Sequence, residues 1–334
     1  MTPDDDCSFI GMPGFGHPLP GIRMVEISVT FTWDKAYGER LLQEWQQFYP
    51  DVRLGGPAYD DPGDSFHPGR FLKQGYVITS RGCCRSCWFC MAARREGPIR
   101  TLPIAEGSDI LDNNLLACPR RHIEEVFGML RSQRMVRFSG GLDCRLFRPW
   151  HAEAIRSLSL RNLWFAYDDP SCQKDLERAV VMLGLSREKM GCYVLAGYPG
   201  DTIEKAEIRV RRIYEIGCMP FAMLYRDEAG SRLDLAWRRW GRQWCRPALI
   251  KYAMKKENYG EAGEGEGSER GIIPDGRGIP AAGDTARAVP ALRLVGRVSA
   301  IQETEGRHHA ALREEGNESG GDERPIDGVQ GFPR

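Results

Sequence analysis

Between residues 75 and 247 apolar positions alternate between two rhythms, short runs of strand length and longer stretches at helical spacing. The short runs predict strands over residues 76–79, 110–116, 135–138, 163–167, 190–195 and 221–224, each followed by a loop and then a helix. Ile123, Val126, Phe127 and Leu130 stand at i, i+3, i+4 and i+7, with Pro119 where a first-turn proline is tolerated. Asp201, with Glu204 three residues on, reads as the capped start of a helix whose apolar face is Ile203, Ala206, Val210 and Ile213. Repeated strand–helix units predict an α/β protein built on a parallel sheet with helices outside, and such sheets place ligands at the carboxyl ends of their strands.

The flanks follow different patterns. Residues 1–20 are rich in Gly and Pro without a period, a flexible lead-in. Residues 21–70 predict a small βαβ extension: a strand over 22–30, a helix over 35–48 carrying Tyr37, Leu41, Leu42 and Trp45, and a strand over 52–54 ending in Gly55-Gly56-Pro57. The core occupies 71–250. Residues 256–334 lose periodic apolar spacing, with some aliphatic content only over 289–301, and predict a disordered acidic tail. Formal charge is zero for the whole chain, but residues 257–334 hold 9 basic and 15 acidic side chains of the 46 of each sign, leaving the first 256 at net +6. No stretch reaches 18 apolar residues and the start of the chain is acidic, which implies no membrane association and a cytoplasmic protein.

In that compartment the 11 cysteines point to metal rather than disulfides, and four of them fall in one segment, Cys83-Cys84-Arg85-Ser86-Cys87-Trp88-Phe89-Cys90. Cys83, Cys87 and Cys90 form a CxxxCxxC triplet in the loop after the first core strand. This spacing lets one loop wrap thiolates around three corners of an iron–sulfur cube and leaves one iron open to a small molecule. Four cysteines holding zinc, with Cys84 a ligand, is the competing reading. Adjacent Cys83 and Cys84 chelate one ion poorly, so Cys84 reads as a bystander.

The triplet, with Phe89 before its last cysteine, resembles the signature of the radical S-adenosylmethionine superfamily. The resemblance covers about residues 70–247 and implies a partial (β/α)6 TIM-like barrel, a [4Fe-4S] cluster on Cys83, Cys87 and Cys90, and S-adenosylmethionine on the open iron. It also implies a low-potential electron donor of flavodoxin or ferredoxin type. Ser139-Gly140-Gly141 resembles the superfamily's segment at the amino group of S-adenosylmethionine, with Leu142 where Glu is usual, so that the carboxylate role passes to Asp143. Gly141 to Leu146, including Arg145, and Phe165 to Asp169, including Asp168, resemble a subgroup reading GGLDxRL and FAYD. Its Asp and Arg would contact polar parts of cofactor or substrate, although Asp168 and Asp169 could also cap the next helix. Gly197-Tyr198-Pro199-Gly200-Asp201-Thr202 is similar to the superfamily's turn beside the adenosine. Asp112-Asn113-Asn114 are polar residues expected on the second strand, needing partners or a ligand.

Within the first 60 residues, Gly55-Gly56-Pro57 after a short strand resembles part of the cobalamin domain found in related enzymes. The DxHxxG motif is missing, so a remnant capping the barrel without cobalamin is expected. His17, His67, His122 and His151 show no metal-pair spacing. Leu233, Trp237, Trp240 and Trp244 share one helix face and Arg238, Arg239 and Arg242 another, which reads as core and solvated faces. Nucleic acid is therefore the less favoured partner, and a radical enzyme acting on nucleic acid is an alternative. A non-catalytic iron–sulfur or zinc module is another. The motifs name no substrate.

Overall fold

The computed structural model describes residues 3, 8–12, 21–61, 72–231, 233–260 and 295–299; the rest of the predicted lead-in and tail lies outside the described residues. In chain order the elements begin with β1 (Ser8–Ile10), β2 (Met24–Ser28), α1 (Lys35–Gln46) and β3 (Asp51–Gly55). The core follows with β4 (Tyr76–Val77), β5 (Ser80–Arg81), α2 (Ala92–Glu96), β6 (Arg100–Thr101), β7 (Asp109–Ile110), α3 (Arg120–Arg131), β8 (Val136–Leu142), α4 (Pro149–Arg156) and β9 (Leu160–Ala166). It ends with α5 (Gln173–Leu183), β10 (Met190–Ala196), α6 (Ile203–Ile216), β11 (Met219–Leu224), α7 (Leu235–Trp244) and α8 (Pro247–Gly260), and β12 (Val295–Ser299) lies beyond.

The core sheet has six parallel strands in the order β4-β7-β8-β9-β10-β11, which is sequence order without reversal. Right-handed crossovers in such a sheet put successive helices on one face, and α4 touches α5, α5 touches α6 and α6 touches α7. The sheet does not close, since β4 and β11 are its two edges. All six predicted strands are present. The first and second are each cut to two residues, the second because the side chains of Asp112 to Asn114 take hydrogen bonds in its place and Leu115–Ala117 form a 3-10 turn. Burial alternates along the strands: Phe138, Leu163, Phe165, Cys192 and Val194 are fully buried under the helices, while Arg137, Trp164 and Tyr193 on the other face are half-buried.

The predicted βαβ extension is present, with β2 and β3 parallel and Leu41 and Trp45 of α1 buried on them. It belongs to a second sheet, β1-β12-β2-β3, in which β12 pairs antiparallel with both β1 and β2. Two strands thus stand in segments for which the sequence predicts no regular structure. The extension reaches the carboxyl side of the core sheet: Thr32 Oγ1 donates to the Glu228 carbonyl at 2.7 Å, and Arg226 lies over the Trp33 ring.

The tryptophan face of α7 is core, as expected. Trp244 is fully buried and Trp240 nearly so, while Arg238, Arg239 and Arg242 are exposed. Both indole N–H groups donate to one oxygen of Glu207 on α6, at 2.7 and 2.6 Å, and Arg211 holds the other at 2.6 Å. Glu207→Ala strands two donors and should cost roughly 2–4 kcal/mol, with Glu207→Gln losing less than half of that, read from urea midpoints.

His151 is buried between Trp150 and Phe147, and its Nδ1 accepts the Arg148 backbone N–H at 3.0 Å. Burial, with Arg148 and Arg120 adding to it, lowers its pKa from 6.5 to about 4. The folded state holds the imidazole neutral, so the unfolded chain binds the extra proton between those values. Stability is full above pH 6.5 and is lost as pH falls: about 2 kcal/mol between pH 7 and 5, and roughly 3 kcal/mol by pH 4. His151→Asn, which keeps an acceptor and cannot charge, should flatten that part of the pH profile of denaturant midpoints.

Candidate functional site at the carboxyl edge of the parallel sheet

The CxxxCxxC segment is an irregular loop spanned by a two-stranded ribbon. β5 leads into it, α2 leaves it, and β6 returns to pair antiparallel with β5. Its base is fixed by polar contacts. Arg81 and Glu96, one on each side of the cysteines, form a buried ion pair at 3.2 Å, and Glu96 also accepts the Gly82 N–H at 3.2 Å. Backbone bonds from Cys83 N to the Gly97 carbonyl and from Cys90 N to the Cys87 carbonyl shape the turn.

The loop lies along the carboxyl ends of the core strands. Asp112, just past β7, is almost fully buried and accepts three bonds: from Thr79 N–H at 2.6 Å, Thr79 hydroxyl at 2.7 Å and Ser80 hydroxyl at 2.6 Å. Burial raises its pKa and these donors oppose the shift. The polar triplet finds most of its partners within the protein: Asn113 Oδ1 accepts from Gly82 N–H, and Asn114 Nδ2 donates to Cys83 Sγ at 3.5 Å, while Asn114 Oδ1 is buried without a partner among the described residues. Arg85 N–H donates to the same sulfur at 3.4 Å.

Asp143, just past β8, binds Arg85 Nε at 2.9 Å and Arg145 Nε at 2.7 Å, and caps the turn after β8 through the Arg145 backbone N–H. Burial alone would raise its pKa, but hydrogen bonds from Arg145 and Arg85 outweigh it and hold the carboxyl below its ordinary value. The carboxylate assigned from the sequence to a ligand thus clamps the cysteine loop to the sheet. Ser139, Gly140 and Gly141 lie within β8, where the register against β9 advances four residues for two, a bulge. Gly140 packs so closely on the Leu111 and Asp112 backbone that a Cβ would collide with it, and Gly141 takes φ +91°.

Asp168 follows β9 and stands near Cys87 and Cys90, with Arg145 nearby. Burial pushes its carboxyl up to about 6, against the opposing pull of the Leu195 backbone and Arg145. Asp169 is the residue that caps, accepting the Ser171 N–H at 2.8 Å. Beyond β10, Gly197 and Gly200 take positive φ around Pro199. Asp201 does not cap α6; Thr202 does, accepting from Lys205 N–H. Asp201 turns inward to the Gly197 N–H at 2.8 Å and to Arg209 at 2.6 and 3.0 Å. Trp88 is half-exposed and sits edge-on or tilted to Phe89, Tyr198 and Tyr225 at 5.5–5.7 Å. The loop after the first strand therefore reaches the loops after the fifth and sixth.

Cys83, Cys87 and Cys90 are half-buried and Cys84 is exposed. Burial raises the pKa of Cys87 and Cys90, with Arg145 opposing it at Cys87. Among the described residues, no three Cys, His, Asp or Glu side chains converge on a position for one metal ion. Arg85 and Trp88 escaped the sequence reading as site residues, although their place inside the cysteine motif was the signal; Asn114 belongs to the polar triplet the sequence singled out, and its contact is with Cys83 Sγ.

Fold and site together define an α/β protein with an open parallel sheet and a cysteine loop across its carboxyl edge. No protein-family model and no curated protein matches this chain. No helix among the described residues is long and apolar enough to cross a membrane.

Proposed function

We propose that the chain is a radical S-adenosylmethionine enzyme, its open sheet in sequence order being a partial (β/α)6 barrel. The observation that carries the reading is the CxxxCxxC loop, held at the strand ends by Asp143 and meeting the residue 197–201 turn through Trp88 and Tyr198. Cys83, Cys87 and Cys90 hold the [4Fe-4S] cluster, and the donor set suits it. A single tetrahedral zinc needs its sulfurs about 3.8 Å apart, whereas a cube keeps each thiolate on its own iron. Two N–H donors at Cys83 Sγ are the kind of contact that tunes a cluster sulfur.

When bound, the cluster supplies reductive cleavage of S-adenosylmethionine to a 5'-deoxyadenosyl radical, the electron coming from a flavodoxin- or ferredoxin-type donor. Phe89, Ser139, Gly140 and Gly141 would hold the methionine end. The Asp143–Arg145 pair keeps a guanidinium beside it to meet a carboxylate. Gly197, Pro199 and Gly200 offer backbone to the adenosine, and Asp168 holds or releases a proton near neutral pH. Anaerobic reconstitution tests the reading: the full chain should turn brown, show the electron paramagnetic resonance of a reduced [4Fe-4S] cluster, and make 5'-deoxyadenosine under dithionite. A colourless protein that takes up only zinc would refute it.

A further inference from the structure

The excess positive charge of the first 256 residues lies in one place. Those residues are net +6, and residues 235–256 alone hold seven basic side chains and no acidic one, so the 234 residues before them are net −1. This stretch is α7, two connecting residues and α8, and the two helices touch. Arginines on the other outer helices are neutralised locally. On α3 Arg120 and Arg121 each meet a glutamate one turn on, at 2.8 and 2.9 Å, on α5 Arg178 meets Asp175, and on α6 Arg212 meets Glu215. Arg238, Arg239, Arg242 and Arg246 differ: all are exposed, and none pairs with an acidic side chain among the described residues. The acid next to them in sequence, Asp234, caps α7 by accepting the Trp237 N–H at 2.9 Å, and Arg238 Nε reaches its backbone carbonyl at 3.4 Å.

The opposite side of α7 is fixed in the core by Trp240 and Trp244, which keeps these arginines outward. On α8 Tyr252 is 68% exposed, more than any other aromatic ring among the described residues, with exposed Lys255 one turn on. Cations in a row with a free ring beside them are what a single-stranded nucleic acid uses: phosphates on the cations, an unpaired base stacked on the ring. The face also begins at the carboxyl edge of the core sheet. Leu233 and Trp237 pack on Gly197, where a Cβ would strike Leu233, and the next residue, Tyr198, meets Trp88 of the cysteine loop.

We infer that the outer face of α7 and α8 binds single-stranded nucleic acid, its phosphates on Arg238, Arg239, Arg242 and Arg246 and a base on Tyr252. The inference deepens the reading above by naming a substrate class and rests on that reading only for the chemistry. A single strand fits that chemistry better than a duplex, because an enzyme acting on a base must have it out of the stack.

Binding is measured by fluorescence anisotropy on the full chain without cluster, with labelled single strands of RNA and of DNA as probes. Either should bind, and the tighter of the two tells which sugar the face prefers. With four cations on phosphates, log K against log salt should fall with a slope of about −3, so that binding weakens about fiftyfold between about 50 and 200 mM KCl. Arg238→Gln, Arg239→Gln and Arg242→Gln together should flatten the slope to about −1 and weaken binding at low salt at least about tenfold. Tyr252→Ala should weaken it about tenfold and leave the slope unchanged. Arg120→Gln with Arg121→Gln, on arginines that already have partners, should change nothing. If the triple variant does not fold, Arg239→Gln and Arg242→Gln singly replace it, each taking about 0.7 from the slope. Absence of binding, a slope near zero, or a triple variant that binds like the parent overturns the inference. So does polyglutamate that competes as well as the strands, since the face then serves an acidic polypeptide. A protein that forms the cluster and makes 5'-deoxyadenosine but binds neither strand loses this inference alone. One that binds a strand and forms no cluster keeps the surface and loses the enzyme.

Discussion

Replacing Cys83, Cys87 or Cys90 singly by alanine should abolish cluster loading, while Cys84→Ala should leave it intact. Each of the three removes one corner of a site with no spare ligand among the described residues, because the loop's fourth cysteine is exposed to solvent and the other described cysteines are dispersed, those under the helices buried. Iron and sulfide per chain should fall at least about tenfold with the brown absorption, the scale on which even outer-shell partners of a metal site act. Folding should survive, since the loop's frame is the Arg81–Glu96 pair and the Asp143 clamp rather than the thiols. Circular dichroism on the same samples separates loss of ligand from loss of fold. If Cys84→Ala fails as badly as the others, a four-cysteine site such as zinc is the better account.

How much of this was legible in the sequence depends on how local the cause is. The six core strands and their helices follow from short-range apolar rhythm, and Val126, Phe127 and Leu130 are buried as their spacing demands. The cysteine triplet was legible because it is contiguous. What the pattern concealed was long-range. β1 and β12 are short strands at opposite ends of the chain whose only reason to be strands is each other and β2. Asp143 looked free until Arg85, 58 residues earlier, came to it. The contact of Trp164, Tyr193 and Phe221 with one another was hidden because strands of a parallel sheet read as continuous apolar runs, so two faces cannot be told apart without the register.

Asp201 and Arg209 carry the largest stability effect outside the cysteine loop. In sequence Asp201 has every mark of a helix cap, and capping alone would make Asp201→Ala cost about 1 kcal/mol. The structure gives that task to Thr202 and buries Asp201 completely, with Arg209 nearly so. Arg209 also donates to the Leu195 carbonyl at the end of β10 and lies over the Tyr198 ring. One guanidinium therefore ties the last turn of a core strand, the glycine turn and the first turns of α6. Removing Asp201 leaves that guanidinium buried without its counter-charge, so Asp201→Ala should cost roughly 3–5 kcal/mol, several times the effect of Asp169→Ala at the exposed cap after β9. Asp201→Asn, which keeps an acceptor for the Gly197 N–H, should fall between them. Urea midpoints rank the three variants, and a cost for Asp201→Ala near that of Asp169→Ala would show that the pair relaxes into solvent. The double variant Asp201→Leu, Arg209→Met removes both charges together and should recover much of the loss, because the penalty belongs to the stranded charge rather than to the missing contact. Tyr198 packs on Trp88, so the single variant should also shift tryptophan emission toward the solvent-exposed range, and the double variant need not restore it, since Arg209 is then no longer over Tyr198.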